Sequence, residues 1–117
     1  ILLVEDEEEV RMIARTILIK MGFTVIEASN GMEALEQYKN NASEIILVVT
    51  DLGMPIMDGY ELFEKLKQVS PELPIIISSG FGDDVVTSRI PHDQIAGLVR
   101  KPYKSERLLE TLKSILT

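Results

Sequence analysis

Five residues have side chains and positions suited to joint chemistry. Glu5 and Asp6 follow the apolar opening "ILLV", Asp51 follows "EIILVVT", Ser79 follows "IIIS", and Lys101 ends "GLVRK". Each stands at the C-terminal end of a short apolar run. If the fold brought those ends to one rim, three carboxylates, a hydroxyl and an ammonium would meet there. Two carboxylates about 4.5 Å apart repel by roughly 3–4 kcal/mol at an effective dielectric near 20. One lysine cannot offset three acids, so a carboxylate must take up a proton or a cation must bind. A hard divalent ion suits oxygen donors, and Mg²⁺ accepts one or two carboxylates together with water and phosphate oxygens. We therefore expect a Mg²⁺ site.

The elements that must position these residues follow from the periodicity. Short β-type runs over 1–4, 23–27, 44–49, 75–78 and 97–101 alternate with helical spacing. Val10, Ile13, Ala14, Ile17, Leu18 and Met21 mark one helix, which Gly22 stops. Asn30-Gly31 reads as a turn before a helix over 32–39, and Leu62, Phe63, Leu66 and Val69 mark a third. A weak helix over 83–90 ends at Pro91, and Leu108, Leu109, Leu112, Ile115 and Leu116 mark the last. The run 44–49 is apolar throughout, as a strand covered on both faces should be. Five β-then-α units predict an α/β fold: a parallel sheet with helices on both faces. Ligands of such sheets bind outside the carboxyl ends of the strands.

Composition limits the alternatives. The 117 residues suggest one domain, 45% are apolar, and there is no cysteine, which excludes disulfides and thiolate metal sites. No run approaches the roughly 20 apolar residues of a membrane span. The formal charge of −7 argues against direct nucleic-acid or anionic-lipid binding. The simplest location is the cytoplasm. Because the apolar pattern begins at Ile1, we expect residues 1–117 to be one domain excised from a longer chain.

Together, "ILLVEDE", "VVTDLGMPIMDGYEL", "IIISSG" and "RKPY", with Lys101-Pro102 placed 22 residues beyond Ser79, resemble the receiver domain of two-component response regulators over essentially the whole chain. The resemblance implies a flavodoxin-like (βα)5 doubly wound three-layer sandwich with strand order 2-1-3-4-5. It implies that Asp51 is the phosphoacceptor, taking a phosphoryl group from the phosphohistidine of a histidine kinase or histidine phosphotransfer domain. Asp6, Asp51 and the Gly53 carbonyl would hold Mg²⁺, with Glu5 acting mainly through water. Ser79 would hydrogen-bond the phosphoryl group, and Lys101 would pair with it. No other cofactor is implied. Phosphoryl transfer depends on an in-line nucleophile and charge neutralisation, which this set supplies. Such a module has no separate turnover substrate, and whether the parent protein is itself a histidine kinase is left open.

Other readings compete at individual residues. Glu7, Glu8 and Glu9 suit a helix start, with Asp6 and Glu9 spaced as a capping box. Asp58 suits a helix cap before Gly59. Tyr60 and Tyr103 read as packing and surface residues, and His92 as a loop residue. Leu98 stands where many receivers carry a switching aromatic, and Pro91 shortens the helix on a face that many use for dimerising. Leu98 puts the usual hydroxyl–aromatic switch in doubt. Pro91 points to weaker output through that face, with the domain passing phosphate onward or tuning a tethered kinase as the receivers of hybrid histidine kinases do. Response versus relay stays open, and Gly80 points toward a modest aspartyl-phosphate lifetime. Oligomeric state is open. Three rival functions fit these residues less well. A Mg²⁺-dependent aspartate-nucleophile phosphatase would carry an acid where Gly53 stands. A flavin-binding module would not put Glu5 to Glu9 beside a phosphate. A pseudo-receiver that only binds a partner would not need all five site residues.

Overall fold

The computed structural model describes residues 1–51, 57, 59–79, 95–100 and 104–116, with Ser79 and Arg100 described by their backbone alone. Strand β1 (Leu2–Val4) leads into helix α1 (Glu8–Lys20). Gly22, at φ 96°, ends the helix in the left-handed region. The Gly22 N–H donates to the Ile19 carbonyl at 3.0 Å and the Phe23 N–H to the Leu18 carbonyl at 3.1 Å. This reciprocal pattern is a Schellman cap.

The cap explains a difference from the sequence expectation. Strand β2 is Ile26–Ala28 rather than 23–27. The Phe23 N–H is already engaged by the helix end. The bonds to the first strand begin at Thr24, whose carbonyl accepts from the Ile1 amino group at 3.0 Å, and continue where the Ile26 N–H donates to the Ile1 carbonyl at 2.9 Å. Helix α2 (Gly31–Asn41) starts at Asn30, whose Oδ1 accepts from the Glu33 N–H at 2.8 Å, so the expected turn residue is a helix cap. Strand β3 is Val48–Asp51, not 44–49. The N–H groups of Glu44 and Ile45 donate to the Asn41 carbonyl and finish α2. Ile46 faces solvent, 51% exposed. Asp51 is consequently the last residue of the strand, inside the ladder.

Helix α3 (Gly59–Val69), strand β4 (Ile75–Ser79), strand β5 (Gly97–Arg100) and helix α4 (Ser105–Leu116) complete the described elements. The helix expected over 83–90 lies outside the described residues. All strands are parallel, in the order β2-β1-β3-β4-β5, as the sequence reading expected. Side chains alternate between two cores. Leu2, Val4, Val48, Ile75 and Ile77 pack with Ala34, Tyr38, Leu62, Phe63 and Leu66 of α2 and α3. Leu3, Val49, Ile76 and Val99 pack with Ala14, Leu18, Leu108 and Leu112 of α1 and α4. The sheet is thus covered on both faces, and the side chains past the last core layer are left at its carboxyl edge.

Nothing lies within 4 Å of a Cβ built at Gly22, so a substitution there tests backbone conformation alone. Gly22→Ala is expected to lower stability by about 1–2 kcal/mol, seen as a lower urea midpoint at unchanged slope, and Gly22→Asn to cost less.

Candidate functional site

Glu5 extends the first strand by one ladder bond, its N–H donating to the Ala28 carbonyl at 3.0 Å. Its side chain is fully buried. Oε2 accepts from the Glu7 N–H at 3.1 Å, and the Glu5 carbonyl accepts from Arg11 Nη1 at 2.8 Å. Arg11 in turn donates Nε to Glu27 Oε1 at 3.2 Å, and Arg15 Nε lies 3.9 Å from Glu27 Oε2. An arginine of α1 and a glutamate of β2 therefore hold the turn that carries the acid pair.

This geometry corrects the capping-box reading of Asp6 and Glu9. The N-cap is Glu7, which makes no side-chain cap bond, and the helix starts one residue later at Glu8. The exposed Glu8 and Glu9 still sit in the first turn, where acids favour the helix dipole. Glu5, rather than Asp6, supplies the acceptor for an early backbone N–H, which leaves Asp6 to open toward solvent at the rim.

Asp51 is 8% exposed and pairs in register with Ser78. Beside it, the buried Thr50 hydroxyl donates to the Asp51 carbonyl at 2.9 Å. One carboxylate oxygen each from Glu5, Asp6 and Asp51 lies within 4.8 Å of the others. The ends of β1 and β3 thus bring together three of the five residues expected at the rim. The Ser79 backbone closes β4 at the same edge, opposite Arg100; its side chain, Gly53 and Lys101 lie outside the described residues, as do Asp58, His92 and Tyr103. Leu98, half-buried, packs with Tyr60 against the α2–α3 core.

A hard divalent ion such as Mg²⁺ takes oxygen donors, carboxylate and water together. Carboxylate oxygens within 4.8 Å of one another are near enough for Glu5, Asp6 and Asp51 to hold one such ion, directly or through water. At that spacing each pair repels by about 3–4 kcal/mol at an effective dielectric of 20, which a divalent ion offsets. The donors are all hard, and the residues present fit the ion.

The profile of the response regulator receiver domain matches residues 1–113. The chain belongs to that family. Receivers are the phosphoacceptors of two-component signalling, work with histidine kinases or phosphotransfer proteins, and bind Mg²⁺ at an acidic cluster of this kind. Among curated relatives, this receiver is 39% identical to the sensor kinase CckA of Brucella abortus, over 99% of its own length and 12% of the kinase's. It is 34% identical to the chemotaxis protein CheY of Bacillus subtilis, over 99% and 96% of the two chains. Among solved structures, a receiver domain from Clostridium thermocellum superposes with a TM-score of 0.89 at 25% identity, covering 98% and 91%. The CheX–CheY–BeF3–Mg complex from Borrelia burgdorferi superposes at 0.91, also at 25% identity, covering 99% and 87%.

Sequence reasoning overlooked Arg11, Glu27 and Thr50, and read Gly31 only as a turn residue. The Gly31 N–H donates to the Met57 carbonyl at 3.1 Å, and a Cβ at Gly31 would fall 2.5 Å from that oxygen and 2.7 Å from Met57 Cγ. Met57 is buried and lies six residues beyond Asp51, so this contact fastens the segment after β3 to the start of α2. Gly31→Ala is expected to cost about 1–3 kcal/mol through overpacking. Amide resonances of Met57 and Asp51 should shift while those of α4 stay in place.

Proposed function

We propose that Asp51 accepts a phosphoryl group from a phosphohistidine, with Mg²⁺ held by Glu5, Asp6, Asp51 and the Gly53 carbonyl. A single observation carries this reading: a nearly buried strand-end aspartate gathered with two further carboxylates from a neighbouring strand end. A carboxylate oxygen of Asp51 attacks phosphorus, a P–O bond forms, the P–N bond breaks, and its electron pair goes to the imidazole nitrogen. When bound, the ion supplies charge neutralisation for the phosphoryl oxygens. Burial of Glu5 and Asp51 keeps water from solvating those charges fully. Ser79 donates to a phosphoryl oxygen and Lys101 pairs with the phosphoryl group; the resemblance of "IIISSG" and "RKPY" to receivers supports both roles.

The donor must cover the surface next to Asp51, and α1 begins beside Asp6. On α1, Met12 and Ile13 are each 51% exposed, and a groove of about 440 Å³ runs between Met12, Ile13, Thr16, Ile17 and Ser105. Acidic Glu8 and Glu9 stand one helical turn before Met12 and Ile13 on α1. We assign this strip to a helical, histidine-bearing kinase or phosphotransfer partner with an apolar centre and a basic margin. The 39% identity to a segment of a sensor kinase supports a relay role, with residues 1–117 serving as one receiver module of a longer cytoplasmic protein. Among the described residues, no helix is long and apolar enough to cross a membrane.

With Mg²⁺ and acetyl phosphate, mass spectrometry should show one phosphoryl adduct, absent in Asp51→Asn and after chelation. Phosphate release over many turnovers would instead indicate a phosphatase. Asp6→Asn is expected to weaken Mg²⁺ binding by about 10- to 100-fold, the scale on which even outer-shell partners act.

Partner docking is tested separately. Ile13→Asp is expected to slow transfer from a phosphorylated histidine phosphotransfer domain by about tenfold, equivalent to about 1.4 kcal/mol of lost contact. Labelling by acetyl phosphate should be unchanged. Equal slowing of both reactions would count against α1 as the docking face.

A further inference from the structure

Ser78 is fully buried, and among the described residues its Oγ finds no hydrogen-bond partner. An unmet buried hydroxyl bears its desolvation cost with no return, whereas an aliphatic residue there would bear none. Its position suggests what the hydroxyl is for. Ser78 is the register partner of Asp51 on β3 and of Val99 on β5.

Strand alternation gives the face. Two residues before Ser78, Ile76 packs in the core beneath α1 and α4; two before Asp51, Val49 does the same; two before Glu5, so does Leu3. Successive side chains alternate between faces, so Glu5, Asp51 and Ser78 form one row on the α1–α4 side, across three adjacent strands. Neighbouring strands lie about 4.8 Å apart. A buried donor thus stands one strand from the acceptor carboxylate, on the same face.

We propose that Ser78 is a second phosphoryl-site hydroxyl, left unsatisfied in the resting domain and donating to an oxygen of the acyl phosphate once Asp51 carries it. The proposal rests on Asp51 being the phosphoacceptor. Phosphorylation adds three strong acceptor oxygens beside the hydroxyl, the acceptor supply that the resting site lacks. Relief of the unmet hydroxyl favours the phosphorylated state, because a group satisfied in only one of two states shifts the equilibrium toward that state.

Beryllofluoride with Mg²⁺ serves as the probe, its binding followed by calorimetry. Without ligand, Ser78→Ala should melt no lower than wild type and bind Mg²⁺ equally well. It should bind beryllofluoride about five- to tenfold more weakly, and Ser78→Thr should recover most of that affinity. Ser78→Ala binding beryllofluoride as tightly as wild type would overturn the proposal and leave the phosphoacceptor reading intact. A clearly lower melting temperature in Ser78→Ala would also overturn it, by showing that the hydroxyl is satisfied at rest. If wild type itself bound no beryllofluoride, the phosphoacceptor reading would fail first and the proposal with it.

Discussion

Mutual repulsion among three carboxylates at one sheet edge is the constraint around which this domain is organised. At separations up to 4.8 Å each pair opposes the folded arrangement by several kcal/mol in a medium of intermediate dielectric. The backbone holds the groups together regardless. Glu5 is tied through its N–H to Ala28, through its carbonyl to Arg11 and through Oε2 to the Glu7 N–H. Asp51 is fixed by its place in the ladder with β4, opposite Ser78. These ties hold Glu5 and Asp51 in place while Asp6 opens toward solvent, and a bound cation is one route by which the repulsion can be relieved.

The supporting residues follow from that constraint. Arg11 places a positive charge near the acid pair but spends much of it on Glu27, so it orients the Glu5 turn without filling the cation site. A side chain larger than glycine at position 31 would push directly on Met57 and so on the segment that leaves Asp51. The turn after β1 and the segment after β3 are thus each tied to a neighbouring helix, and the carboxylates between them have little freedom to rearrange.

Much of the architecture was legible because hydrophobic period is a one-dimensional signal. The alternation of β and helical periods, and with it the parallel sheet, needed only the order of the apolar runs. Strand limits were less legible, since apolar content does not show where a hydrogen-bond ladder begins. Phe23 and Ile45 look like strand residues, but the ends of α1 and α2 claim their N–H groups. The capping box failed for a similar reason: Asp6 and Glu9 have the spacing, but the chain enters the helix one residue later. Glu5, Asp6 and Asp51 could be named because each follows an apolar run. Arg11 and Glu27, 16 residues apart in the chain, leave no local pattern.

The two faces of the sheet give the site a direction. Leu98, paired with Ile77, packs toward α2 and α3, whereas Glu5 and Asp51 stand on the face that leads toward α1 and α4. Phosphorylation of Asp51, as proposed, would add charge on the face that leads toward α1 and α4. Position 98 thus faces the opposite layer, and the leucine there has no polar edge to carry a hydrogen bond. In the proposed function, donor docking and the response to phosphorylation share one face, so a partner on α1 would sense the state of Asp51. That coupling suits a domain that receives and passes a phosphoryl group better than one that signals across to the far side of its sheet.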